Sequence, residues 1–286
     1  MPAVDEAHLR SWIGREAEAT DIVTPRLAEE FLATFAPHLG AETGEAPLGL
    51  HWCLSPAIVP ADGLGPDGHP ARGGFLPPVP LPRRMWAGGE LEVHAPLRIG
   101  DTVTRRSRIE DVSVKSGRSG TLCFVAVRHE YDAGRGVAVS ERHDIVYREA
   151  AAPGGAVPKP PAPAEGAPAD LDWSVAADPV LLFRYSAITF NGHRIHYDLP
   201  YVTGEEGYPG LVIHGPIQAT LLLNMAARLG GRPPARFAYR GLSPMTGSQS
   251  FTVRGAADAD GGLRCWTEDA AGTVCMRASA PAAGQG

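Results

Sequence analysis

His214-Gly215-Pro216 opens an apolar run, Ile217 to Leu229, that stops at Gly230-Gly231. Pro216 suits the first turn of a helix, where its missing N–H would have no intrahelical acceptor, and the paired glycines suit the far end. Leu221, Leu222, Leu223, Met225 and Leu229 leave little polar face, so the spacing predicts a buried helix from Pro216 to about Leu229. A buried helix start must satisfy its free N–H groups with a partner.

Just upstream stands Asn191-Gly192-His193-Arg194-Ile195-His196-Tyr197-Asp198, a short loop dense in imidazole and amide groups. An imidazole can take a proton near neutral pH. A helix N-terminus, positive through its dipole, favours a ligand oxygen that gains negative charge. Together they point to chemistry next to a carbonyl, as in an acyl thioester, with the Gly215 N–H as donor because glycine allows close approach. His193 and His196 lie at metal-like spacing, but no Cys, Glu or third His stands at a matching distance nearby, and no metal site is expected. No G-x-S-x-G, Walker A or dinucleotide fingerprint occurs, so covalent acyl-enzyme chemistry and nucleotide binding find no support.

The 286 residues carry a formal net charge of -6, with 44% hydrophobic and 20% charged residues. That balance supports a full core and argues against a nucleic-acid surface, although Arg83-Arg84 and Arg105-Arg106 are candidate phosphate contacts. Cys53, Cys123, Cys265 and Cys275 form no C-x-x-C, which suits free thiols in a reducing compartment. The acidic N-terminus lacks a signal-peptide layout, and Leu211 to Leu229 is interrupted by polar residues, so a soluble, cytoplasmic protein is expected.

Prolines at 153, 158, 160, 161, 163 and 168 mark residues 150–170 as an extended linker between residues 1–149 and 171–286. The first part opens with an amphipathic turn at Leu9, Trp12 and Ile13, then a helix capped by Thr24-Pro25 with Leu27, Phe31, Leu32 and Phe35 on one face. A Gly/Pro-rich loop, Pro56 to Pro82, is long enough to suggest a binding role. Strand-like runs follow at 90–95, 101–114, 121–131 and 136–147. The second part has a helix over about Val180 to Thr189 and strands near 235–240, 249–253, 263–268 and 274–278. Leu97 to Asp101 and Ser243 to Ser248 each precede a strand at similar points, which suggests an internal duplication.

Phe183-Arg184-Tyr185-Ser186-Ala187 through His196, then Tyr208-Pro209-Gly210-Leu211-Val212-Ile213-His214-Gly215-Pro216, resembles the MaoC-like hydratases of the hotdog superfamily. Pro82 to Gly89 and Glu141 to Tyr147 are similar to the branch holding type 2 3-hydroxyacyl-thioester dehydratases and the mesaconyl-C4-CoA and itaconyl-CoA hydratases. The resemblance implies an α+β double hotdog: two curved antiparallel sheets, each wrapped around a long central helix. It also implies a CoA or carrier-protein thioester as substrate, reversible addition of water to an α,β double bond, no cofactor, and a homodimer without nucleic-acid or membrane partners.

The family pattern D-x-N-P-x-H falls on Asn191 to His196, with Asn191 at the Asp position and His193 at the Asn position. Asn191 can orient water but cannot accept its proton. The base role therefore falls to His196, assisted by His193, with Gly215 as the oxyanion donor. Arg84, Trp86, Arg184, Arg194, Tyr185 and His214 are the candidates for binding the substrate, the arginines for a second carboxylate on a branched dicarboxylic acyl group. The first part is expected to shape the acyl pocket and the second to carry catalysis. Competing expectations on the same fold are a fatty-acid-type dehydratase, a thioesterase and a non-catalytic acyl-binding subunit.

Overall fold

A computed structural model describes residues 4–117, 120–149 and 168–282. Most of the proline-rich linker lies outside the described residues. Among the described residues ten strands form the framework: β1 Glu16–Ile22, β2 Arg83–Val93, β3 Thr102–Gly117, β4 Gly120–Asp132, β5 Val137–Arg148, β6 Leu171–Ala177, β7 Arg236–Gly241, β8 Gln249–Ala257, β9 Leu263–Glu268 and β10 Val274–Ala280. Five α-helices accompany them among the described residues: α1 Glu6–Arg10, α2 Pro25–Phe35, α3 Pro179–Ile188, α4 Leu199–Gly204 and α5 Gly215–Gly230.

The strands pair antiparallel into one sheet in the order β1-β3-β4-β5-β2-β7-β10-β9-β8-β6. Read outward from the centre, each half repeats the same connectivity, so the internal duplication is visible in the topology. The seam is the β2–β7 pair, running from Gly88 opposite Arg240 to Glu92 opposite Arg236. Gly88 is required there, because a Cβ would stand 2.6 Å from the Tyr239 carbonyl oxygen. The two expected sheets are thus joined into one by hydrogen bonds across the middle.

The helix complement differs more sharply from expectation. The second half holds α5, 16 residues long, with Ile217, Leu221, Leu222, Leu223 and Met225 completely buried against β7 to β10. It packs so closely on β8 that a Cβ at Gly255 would collide with Leu229 and Met225. Among the described residues the first half has no counterpart. Between β1 and β2 it offers α2, a short 3₁₀ turn at Leu50–Cys53, and the long loop, whose many prolines remove donors and clash with helix geometry. The loop instead covers the first half's own core, with Val79 and Leu81 buried against Ile109, Val125 and Tyr147.

The two halves are also tied through α5. Asn224 Nδ2 donates to the Leu48 carbonyl at 3.0 Å, and Phe35 of α2 meets Tyr185 of α3 edge-on. No helix among the described residues is long and apolar enough to cross a membrane. All four cysteines are free and buried, and burial pushes the Cys265 and Cys275 thiols up to about 12, so neither is a ready nucleophile.

Candidate active site

The histidine loop begins where α3 ends. The Asn191 N–H returns to the Ser186 carbonyl at 2.9 Å, and the Asn191 side-chain oxygen accepts the His193 N–H at 3.0 Å. This Asx turn directs the chain into a 3₁₀ turn over Arg194–His196. Asp198 then closes the loop twice, capping α4 through the Tyr201 N–H and accepting the Arg194 guanidinium at 2.8 and 2.9 Å. Asn191 therefore shapes the loop through its carboxamide oxygen.

His196 is buried, and its Nδ1 lies 2.7 Å from the Val212 carbonyl oxygen. A carbonyl can only accept, so Nδ1 carries the proton and Nε2 presents a lone pair. The ring stacks on His214, with centroids 3.5 Å apart and planes 14° apart. His214 is the residue before α5, and its Nε2 meets Ser186 Oγ at 2.9 Å. One turn of ring from His196 thus lies the start of α5. That start has no side-chain cap, and the Gly215 and Ile217 N–H groups have no protein acceptor among the described residues.

Trp86 of β2 lies directly over Gly215: a Cβ there would be 2.6 Å from Trp86 Cε3. Trp86 belongs to an aromatic wall with Tyr239, Trp52 and His143, at centroid separations of 4.7, 5.7 and 5.5 Å. Glu141, fully buried, accepts from Trp52 Nε1 at 3.0 Å and from the Tyr239 hydroxyl at 2.9 Å and so locks the wall in place. The first half thus contributes the aromatic wall, while the second contributes the His196 imidazole and the helix start.

His193 touches His196 edge-on at 5.4 Å, and on it lies a residue from the other half: His69, with centroids 4.0 Å apart. His69 belongs to the long Gly/Pro-rich loop. Its Nδ1 faces Asp67 Oδ2 at 3.2 Å, and its N–H donates to Asp67 Oδ1 at 3.1 Å. The loop is pressed onto the histidine loop, where the Arg194 N–H donates to the Asp67 carbonyl and a Cβ at Gly68 would collide with the Gly192 carbonyl. Asp67, His69 and His193 bring ligand atoms within 4.8 Å of one another, a grouping that could hold a divalent cation. Sequence reading missed it, since the third histidine comes from more than a hundred residues upstream. The Asp67-Gly68-His69 spacing, inside a loop already suspected of binding, was the available signal.

The arginines divide. Burial lowers the pKa of His69, His143 and His193, with a smaller push from Arg84, which is half-buried on β2 and has no ion-pair partner among the described residues. Arg194 does not face the site: Asp198 and the Pro66 carbonyl hold it, and it lies 4.0 Å over Tyr201. Arg184 is exposed on α3 and points to the Ala33 carbonyl, while the opposite face of α3 carries Tyr185 and Ser186 to His214. Helical direction separates Arg184 from its neighbours, and an i,i+4 ion pair withdraws Arg194. Tyr185 is buried with its hydroxyl unpartnered beneath His214.

Burial lowers the imidazole pKa values: His196, His51 and His143 fall to about 3, and His214 and His129 also lie well below the usual value. These rings stay neutral at pH 7 and must take protons on unfolding. Between their folded values and the unfolded value, roughly 6.5, the unfolded chain binds more protons, so stability falls as pH drops. Glu141, raised by burial, opposes the trend but is one group against several. Denaturant titrations should show stability declining from pH 7 to pH 4 by up to about 1.4 kcal/mol per pH unit for each such histidine. A flat profile over that range would contradict the burial assigned to them.

An antiparallel sheet packed over a buried helix defines a hotdog-type α+β fold. The chain belongs to the hydroxyacyl-thioester dehydratase type 2 family, whose model matches residues 49–247, and is a hydro-lyase of the MaoC-like class. It is 42% identical over 261 residues to a mesaconyl-C(4)-CoA hydratase from Chloroflexus aurantiacus, covering 90% of this chain and 92% of that one. A MaoC-like dehydratase from Phytophthora capsici superposes with a TM-score of 0.67 at 16% identity, over 97% of this chain and 99% of that one. A Mycobacterium tuberculosis protein described as having a double hotdog fold superposes at 0.51 with 17% identity, over 94% and 96%. These structures bear on the fold alone.

Proposed function

We propose that the protein adds water reversibly across the α,β double bond of a short branched dicarboxylic acyl-CoA, of the mesaconyl-C4-CoA or itaconyl-CoA kind. The observation that carries this reading is the His196 imidazole, fixed as the Nδ1–H tautomer by Val212 and stacked on His214 beside the uncapped start of α5. In this reading Nε2 removes a proton from water as its oxygen bonds to the β-carbon. The Gly215 N–H donates a hydrogen bond to the thioester oxygen as negative charge gathers there, and the α-carbon then takes a proton back from the His196 imidazolium, which completes the addition. The second half is the catalytic unit and the first half walls the acyl pocket through Trp86 and Arg84.

The dicarboxylic preference rests on Arg84, a half-buried cation without a carboxylate partner among the described residues, and on the likeness to a mesaconyl-C(4)-CoA hydratase. A guanidinium in such surroundings favours a substrate carboxylate over water. Hydrolysis of the thioester finds less support, because the first turn of α5 carries no acidic residue to drive it.

Arg84→Met should raise KM for mesaconyl-C4-CoA about 10- to 100-fold, the worth of a hydrogen bond to a charged group, and leave crotonyl-CoA nearly unaffected. Equal losses on both substrates would remove carboxylate recognition from Arg84.

A further inference from the structure

The face of the sheet turned away from α5 carries a concavity of about 1020 Å³, which straddles the β2–β7 seam and is lined by none of the histidines. Strand alternation sets which residues reach it. Phe237 and Tyr239 of β7 turn to the core, so Ala238 and Arg240 turn outward. The register then draws one row across this outer face. Arg240 stands opposite Gly88 on one side and Arg277 on the other, Trp266 is opposite Arg277, and Arg254 is opposite Trp266. At the seam Ala87, Gly88, Ala126 and Ala238 keep the floor low and apolar.

The charge around that floor is one-sided. Six cationic side chains line the concavity against three carboxylates, in a chain whose formal net charge is -6. Each carboxylate is already engaged: Asp144 by Arg142 at 3.1 Å, Glu268 by Arg254 at 3.5 Å and Asp111 by Arg10 at 3.5 Å. Arg240, Arg277 and Lys115 have no ion-pair partner among the described residues, and Arg254 Nε is buried without a hydrogen-bond partner. Like charges directly opposite each other on paired strands cost stability, and an anion between Arg240 and Arg277 would relieve that cost.

The geometry points to a binding site here for an organic polyphosphate carrying a planar ring, a nucleoside diphosphate in chemical class. Arg240 and Arg277 take the phosphates through charge-assisted hydrogen bonds, and the ring lies on the apolar floor beside Trp266. The concavity is ample for a ligand of that size. Its phosphate contacts come from arginine side chains, so the site leaves no glycine-rich fingerprint in the sequence. A second copy of the chain seated face to face would bring another set of unpaired cations onto these and be repelled, whereas a polyphosphate supplies the missing negative charge. A free nucleotide and the nucleotide end of coenzyme A share this chemistry. The site lies across the sheet from His196 and stands whether or not the hydratase reading does.

The test titrates the whole protein calorimetrically with ADP, pyrophosphate and adenosine. ADP should bind at one site, pyrophosphate more weakly and adenosine more weakly still, with the ADP affinity falling as salt rises. Arg240→Gln and Arg277→Gln should each weaken ADP binding about 10- to 100-fold, the worth of a hydrogen bond to a charged group. Each should also raise the melting temperature of the ligand-free protein, because the opposed charges are gone. Lost affinity in a more stable protein cannot come from damaged folding. Coenzyme A identifies the source: an affinity that falls in the double variant places its nucleotide end here, and a loss confined to ADP assigns the site to free nucleotides. Wild-type protein that binds neither ADP nor coenzyme A, or ADP affinity that survives in the double variant, overturns the assignment. A dimer that the same two substitutions dissociate in sedimentation also overturns it, in favour of a second copy on this face.

Discussion

His196→Asn is expected to lower turnover about 10²- to 10⁴-fold while leaving a folded protein, the loss typical of removing a positioned general base. The substitution is chosen for its geometry. An Asn side-chain amide can take over the Nδ1–H bond to the Val212 carbonyl, so that acceptor is not left unpaired in the core. What disappears is Nε2, the only lone pair that the fixed tautomer presents. His196→Ala removes both and should add a stability loss of about 1–3 kcal/mol for the unpaired buried acceptor. Comparing the two variants by thermal melting and by steady-state kinetics separates the chemistry from the packing. Near-normal kcat in His196→Asn would move the base elsewhere in the histidine cluster.

The second large effect is expected at Gly215. An added methyl would stand 2.6 Å from Trp86 Cε3, and ring atoms of a wall held by Glu141 cannot yield cheaply. Gly215→Ala must therefore tilt the indole or shift the first turn of α5, whose Ile217 and Leu221 are completely buried. A shift of the first turn carries the Gly215 N–H away from a thioester oxygen, and losing one such donor costs about 2.7–4 kcal/mol, or roughly 10²- to 10³-fold in kcat. The companion variant Trp86→Leu makes room for the methyl. Recovery of kcat in the double variant would show that the clash, not the helix, is responsible. Wild-type kcat in Gly215→Ala alone would contradict the oxyanion role.

How far the sequence could carry the reading depended on whether the signal was local. α5 was legible from Pro216 to the paired glycines because caps and apolar content act within a few residues. α2 was legible for the same reason, and Thr24 does cap it through the Leu27 N–H. The edge strands were not. β1 reads Glu-Ala-Glu-Ala-Thr-Asp-Ile, mostly exposed, and is a strand because it pairs with β3, not because of its own propensity. The missing helix of the first half was concealed by the resemblance itself, although the prolines of the long loop speak against any helix there.

The site divides in the same way. His193, His196, His214 and Gly215 lie close in sequence, and the fold brings them together at the start of α5. Asp67, His69 and the Trp52–Tyr239–Glu141 framework reach the site only through tertiary packing, which no periodicity reports. Arg184 and Arg194 were chosen for charge alone, and charge does not tell which way a helix face turns or which carboxylate claims a guanidinium first.

The most direct measurement mixes the purified chain with mesaconyl-C4-CoA and records the conjugated enoyl-thioester absorbance together with free thiol. A hydratase working through His196 and the start of α5 bleaches that absorbance towards an equilibrium and releases no thiol. Thiol appearing in step with the bleaching, or an unchanged spectrum here and across a panel of enoyl-CoA esters, would contradict it.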